Sequence, residues 1–237
     1  MLNMNERPKQ LLGIGTDAKT VKGEKKGVMT GIMYLAPYTL SGTNVCAMAD
    51  MAGCHEGCLN TAGRGRMSNV QQARVRKTLF WQEDPEGFLA LLRKEIARVV
   101  RKAERENKTP MIRLNGTSDI LWERKAPELF EEFSDVQFYD YTKIPTRHNL
   151  PDNYHLTFSY SAANERYREF YRPAFENGMN VAVVFRNPEL PETFLGYPVI
   201  NGDESDIRPL DPQGVIVGLK AKGSAKHDTS GFVVDAA

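Results

Sequence analysis

The chain predicts an α/β fold, a partial or complete (β/α) TIM-like barrel with a Cys-rich loop after its first strand. Three observations lead there. Short apolar runs alternate with helical patterns from Gly27 onward, which implies a parallel sheet joined by crossover connections. About seven such runs occupy 237 residues, close to the ~250 that a full eightfold barrel takes. Polar residues crowd the C-terminal ends of the runs, where parallel α/β folds build their sites. An open doubly wound sheet is the alternative.

Taken in order, residues 1–26 are polar and dotted with lysine and read as an arm, leaving 27–237 as one domain with a metal-cluster loop at 44–66. Residues 27–36 are the first strand, and a long connection follows. Residues 85–106 are the clearest helix: Pro85 suits a first turn, and Phe88, Leu92, Ile96, Val99 and Ala103 share one face. Strands follow at 111–116, 136–143, 154–161, 180–185, 197–202 and 215–222. Between them lie helices at 125–133 and at 163–177, the latter stopped by Gly178.

Composition closes off several functions. Lys plus Arg number 31 and Asp plus Glu 30, so a strongly basic nucleic-acid binder is disfavoured. No apolar run reaches transmembrane length, and the N-terminus lacks a secretory pattern, so a cytoplasmic location is expected. Neither a GxGxxG nor a GxxxxGK[ST] loop is present, which leaves the usual dinucleotide and P-loop sites unsupported.

All three cysteines lie within 13 residues, Cys46, Cys54 and Cys58, spaced C-x7-C-x3-C. Such clustering points to metal binding rather than to three structural thiols. A helical turn over 54–58 would put Cys54 and Cys58 on one face, with Cys46 folding back across the gap that Gly53 loosens. Three thiolates leave one position of a [4Fe–4S] cluster without cysteine. Zinc in a Cys3His site with His55 is the rival. His55 directly follows Cys54, an awkward placement for two ligands of one tetrahedral ion, and the surrounding Met and Ala residues suit a water-shielded cluster. The spacing therefore favours iron–sulfur.

The strand ends supply the other candidates: Asn115, Ser118 and Asp119 after the second strand, Asp140 and Lys143 on the third, and Ser159 on the fourth. Period-two alternation puts Asp140 and Thr142 on one face and Tyr139, Tyr141 and Lys143 on the other. A charge inside an aromatic strand needs a partner, which favours Asp140 and Lys143 as site residues. Arg64, Arg66, Arg74, Arg76 and Lys77 make a local positive strip. Arg64, in its glycine-flanked loop, is a candidate anion clamp beside the metal, while Arg74 to Lys77 read as a solvated helix face. Nucleic acid bound through Arg64–Lys77 is a third, weaker reading.

The segments NVCAMADMAGCHEGCLNTAGRG, IRLNGTSDILWE, VQFYDYTK, NYHLTFSYS, VINGDESDIRPLDP and GVIVGLKAKGSAKHDTSGFV, in that order, resemble a bacteriophage-encoded family of three-cysteine proteins over residues 17–234. More distantly, the layout is similar to radical S-adenosylmethionine enzymes. There, three cysteines after the first strand of a partial barrel hold a [4Fe–4S] cluster, and its open iron binds the amino and carboxylate groups of the cofactor. The usual spacing in those enzymes is C-x3-C-x2-C, and their Gly-Gly-Glu-like segment has a loose counterpart in Asn115-Gly116-Thr117-Ser118-Asp119.

The resemblance thus implies a phage iron–sulfur protein in the cytoplasm of an infected bacterial host. Cys46, Cys54 and Cys58 would hold the cluster, and Asn115, Ser118, Asp119, Asp140, Lys143, Ser159 and Arg64 would line a cavity for a small molecule such as S-adenosylmethionine. Asp119 could instead occupy the open iron. Whether the protein is an enzyme stays open. The alternative is a non-enzymatic cluster- or zinc-binding module that meets a phage or host protein or senses redox state.

Overall fold

The computed structural model describes residues 7–15, 21, 23–24 and 26–236. Its strands are β1 (Leu12–Ile14), β2 (Val28–Met33), β3 (Thr109–Arg113), β4 (Gln137–Thr142), β5 (Tyr154–Ser159), β6 (Asn180–Phe185), β7 (Thr193–Phe194), β8 (Tyr197–Asn201), β9 (Ile216–Lys220) and β10 (Val233–Val234). The helices are α1 (Ser68–Glu83), α2 (Pro85–Arg105), α3 (Trp122–Lys125), α4 (Pro127–Glu132) and α5 (Tyr171–Glu176).

Strands β2 to β6 lie side by side in chain order, each pair parallel. β9 pairs β6, and β8 pairs β9, again parallel. β1 and β7 add antiparallel partners at the two edges, and β10 runs parallel to the C-terminal end of β6. The result is an open, mixed sheet of ten strands; among the described residues no pairing joins the two edges. A chain-order run of parallel strands is what successive βαβ units lay down without a reversal. The order does reverse once, late: the segment expected as the seventh strand inserts between the fifth and the sixth.

Alternation along the strands separates two faces. Met29, Met33, Ile112, Leu114, Phe138, Leu156, Phe158, Val181, Val183 and Phe185 face the main core. There they meet the apolar stripe of α2, in which Phe88, Leu92, Ile96, Val99 and Ala103 are all fully buried, as their spacing predicts. Each large side chain in that stripe contributes about 1.5–3 kcal/mol of burial. The other face carries smaller apolar groups, among them Val28, Met111, Tyr139 and Ile207, together with buried polar ones. The segment after β8 crosses this second face, and Asp206 accepts from Arg113 Nη1 at 2.6 Å.

Three local expectations change. The N-terminal arm is partly structural: Leu11 and Leu12 are fully buried, and their N–H groups donate to Glu95 Oε2 of α2 at 2.9 and 2.7 Å. The helix expected at 125–133 starts only at Pro127, after a separate short helix over Trp122–Lys125, because a residue before proline avoids the helical region and Ala126 sits at φ −152°. The helix expected at 163–177 is a 3-10 turn, Tyr167–Phe170, followed by α5. Pro173, which has no N–H to donate, falls in the first turn of α5. No helix among the described residues is long and apolar enough to cross a membrane.

Candidate functional site

The connection from β2 to α1 folds back over the C-terminal ends of the parallel strands and roofs a cavity of about 200 Å³. All three cysteines line it. The stretch from Cys54 to Cys58 is a bend and a single turn rather than the expected helix. Gly53 enters it at φ +59°, and a Cβ there would lie 2.7 Å from Ser230 Oγ. The turn thus needs glycine for its backbone angle and for its close approach.

The Cys46 and Cys54 thiols are placed by backbone groups. The Tyr38 N–H points at Cys46 Sγ at 3.4 Å, and that thiol faces Thr117 O at 3.7 Å. Cys54 Sγ faces Ala49 O at 3.9 Å, and Cys58 O receives the Thr61 hydroxyl at 2.7 Å. Burial pushes the Cys46 thiol up to about 12 and raises Cys58 as well. The negative forms of Cys54 and Cys58 would raise Cys46 further, which places the three sulfurs within one electrostatic neighbourhood. Among the described residues no three His, Cys, Asp or Glu side chains are arranged to hold a metal ion. His55 stands outside the cavity wall, its ring tilted 31° to that of Tyr38 with centroids 5.4 Å apart and its side chain 39% exposed. A Cys3His set is therefore not assembled.

Of the other candidates, Asn115, Ser118, Asp119, Lys143 and Ser159 line the cavity. Asn115 is a hub: its Oδ1 accepts from Ser118 Oγ, Ile120 N and Trp122 Nε1, and its Nδ2 donates to Ile120 O. Asp119 is fully engaged. Oδ1 accepts from Thr142 Oγ1 at 2.9 Å and Arg147 Nη1 at 3.3 Å, and Oδ2 accepts from Lys143 N at 2.7 Å. Burial raises this carboxyl against the lowering pull of Arg147. Both oxygens of Asp119 are thus tied to the wall, Oδ2 by a single backbone donor.

Lys143 Nζ donates to Ser159 Oγ at 2.9 Å and to Ser159 O at 3.2 Å. It stands 4.5 Å from the centre of the Phe232 ring. Desolvation pushes its ammonium below the ordinary lysine value, and the nearby Cys54, Asp119, Cys58 and Cys46 pull the other way.

Two candidates lie elsewhere. Asp140, on the face opposite Lys143, accepts from Asn115 N at 2.8 Å, Leu114 N at 3.3 Å and Tyr154 Oη at 2.9 Å. Burial raises its carboxyl to about 6. It braces the β3–α3 turn from beneath the cavity. Arg64 is exposed, in the 3-10 turn Gly63–Arg66, and is not among the lining residues. Arg74, expected on a solvated face, is buried, with Asn60 Oδ1 accepting from its Nη1 and its guanidinium 4.8 Å from the Tyr34 ring centre.

The wall also includes Arg113, Tyr141, Asp203, Lys220, Lys222 and Phe232. Arg113 could have been placed by alternation from Met111 on the same strand. Phe232 could not, since it arrives from the far end of the chain. A family model described as Gene product 88 matches residues 10–236. No curated protein and no solved structure matches the chain.

Proposed function

The chain belongs to the Gene product 88 family, and from that premise and the geometry of its cavity we propose an iron–sulfur protein that holds a [4Fe–4S] cluster on Cys46, Cys54 and Cys58. One observation carries the reading: all three cysteines, each half-buried, line a single cavity at the C-terminal ends of the parallel strands. The donor set fits the group. Each thiolate of such a cluster would bind a different iron, so the three cysteines would not have to converge on one ion. His55 lies outside the cavity wall, so the set would be the three cysteines, and one iron would be left open for a small ligand or for Asp119.

When bound, the cluster would supply a low-potential electron and a coordination position for a small ligand. We read the chain-ordered run β2 to β6 and the cysteine loop after β2 as the features that would relate this chain to the radical-enzyme partial barrel, and S-adenosylmethionine is the ligand such a relation would imply. The chain's own residues do the rest. The Met48, Ala49 and Phe232 side chains would exclude water, and Asn115 holds the turn that carries Ser118 and Asp119. Ser159 fixes Lys143.

Anaerobic purification with iron, sulfide and zinc analysis tests the proposal. About four iron and four sulfide per chain are expected, and Cys→Ala at each of the three positions should abolish them. One zinc and no iron in the wild-type protein would overturn the reading. Calorimetric titration of the loaded protein with S-adenosylmethionine then separates the radical-enzyme form from a non-enzymatic cluster module. Micromolar binding supports the first, and no heat of binding rejects it.

A further inference from the structure

The charged groups on the cavity wall are mostly neutralised within the wall itself. Arg113 pairs with Asp206 at 2.6 Å, Asp119 with Arg147 at 3.3 Å, and Asp203 with Lys222. Lys220 stands at the exposed rim. Lys143 is the exception inside: its Nζ contacts Ser159, with an aromatic ring on one side, and among the described residues no carboxylate forms an ion pair with it. A desolvated ammonium without an anion is costly. Its placement is nonetheless well determined, since Tyr167 Oη donates to both Lys143 O and Ser159 O, at 3.0 and 3.1 Å, and ties the two residues together. The acidic groups that share the cavity with this cation are the three cysteines and Asp119, whose carboxylate is already paired with Arg147.

We infer that Lys143 is the counter-cation of the three-cysteine site, a positioning residue that raises the reduction potential of whatever the thiolates hold. The inference rests on the cluster reading above. Three thiolates bring negative charge into a space with little water to screen it. One-electron reduction, the electron coming from an external low-potential donor such as dithionite, adds one more negative charge while no bond forms or breaks. A cation fixed on the wall of the same cavity would stabilise the reduced state more than the oxidised one, because Coulomb attraction grows with the charge it meets. The Phe232 ring shields that cation from water and adds a cation–π contact.

The test is the midpoint potential of the loaded protein, measured by dithionite titration with spectroscopic readout, in wild type, Lys143→Met and Lys143→Arg. Iron content of each is measured first. Removing the charge should weaken the relative stabilisation of the reduced state by about tenfold, a shift of about 59 mV to more negative potential. Lys143→Arg should keep the wild-type potential. If Lys143→Met fails to load, a loaded Lys143→Arg at wild-type potential still supports a charge role. Loss of the cluster from both variants shows that side-chain shape matters and overturns the inference, as does an unchanged potential in a fully loaded Lys143→Met. Wild-type protein without iron is a different failure: it removes the cluster reading itself, and the inference with it.

Discussion

Arg147 shows how single side chains hold the cavity floor. Its guanidinium donates to Glu123 at 2.6 and 3.1 Å, to Asp119 at 3.3 Å and to Tyr154 Oη at 3.2 Å, and Tyr154 in turn donates to Asp140. Nothing in its local sequence, a loop between Pro145 and Pro151, marks it as central, because its partners come from distant segments. Arg147→Met leaves two buried carboxylates uncompensated and should cost about 3–5 kcal/mol in urea unfolding; a loss under 1 kcal/mol would show that the network is not holding the fold. Lys77 gives the pH dependence. Its amine donates to Leu11 O at 2.7 Å, and burial lowers it from 10.5 to about 8. Between those values the unfolded chain binds the extra proton, so this group's contribution to stability rises with pH across the window, and its full cost is felt below pH 8. Lys77→Met should flatten the stability profile from about pH 8 to 10, by on the order of 1–2 kcal/mol once partial exposure is discounted. An identical slope in wild type and variant rules the assignment out.

Elements were legible where local rules sufficed. The stripe of α2 is readable because burial on one helix face imposes a period of 3.6 residues, and its start is set by Asp84, whose carboxylate accepts from Gly87 N at 2.9 Å. Asp84→Ala should lower stability by about 1 kcal/mol, read from the urea midpoint. The turn after β3 was legible in composition but not in contact. A Cβ on Gly116 would fall 2.6 Å from Met33 O and 2.7 Å from the Tyr34 ring, and backbone cannot yield as a flexible side chain can. Gly116→Ala should therefore cost about 1–3 kcal/mol and displace Thr117 and Ser118 from the cavity wall; full stability and full iron loading in that variant would refute the tight packing. The breaks at Ala126 and Pro173 followed from proline chemistry that the apolar pattern masked.

Across the whole molecule, the C-terminal strand closes the site. Ser230 Oγ donates to Gly53 O at 3.0 Å, Ala162 N to Gly231 O at 2.9 Å, and Ser161 Oγ to Ala52 O at 2.6 Å, so residues from the sheet and from the chain's end both grip the cysteine loop. Asp228 orders that end by accepting from Ser230 Oγ at 2.6 Å and Val233 N at 3.0 Å. Asp228→Ala should loosen the clamp and speed labelling of the cysteines by a thiol reagent several-fold in metal-free protein of unchanged circular dichroism. An unaltered labelling rate would show that the clamp does not gate access.

The sequence by itself determined the alternation of strands and helices, the buried face of α2, the grouping of three thiols in one loop and the polar character of the strand ends. These follow from residue type and short-range periodicity, which act along the chain. Only the tertiary structure decided that β9 inserts between β6 and β8, that Asp140 braces a turn while Lys143 shares the cavity with the thiols, that Asp119 is tied to Arg147 and backbone, and that Phe232 walls the cavity. Those are choices among partners far apart in sequence, settled by which pairings bury apolar surface and satisfy polar groups together, and no local pattern encodes them.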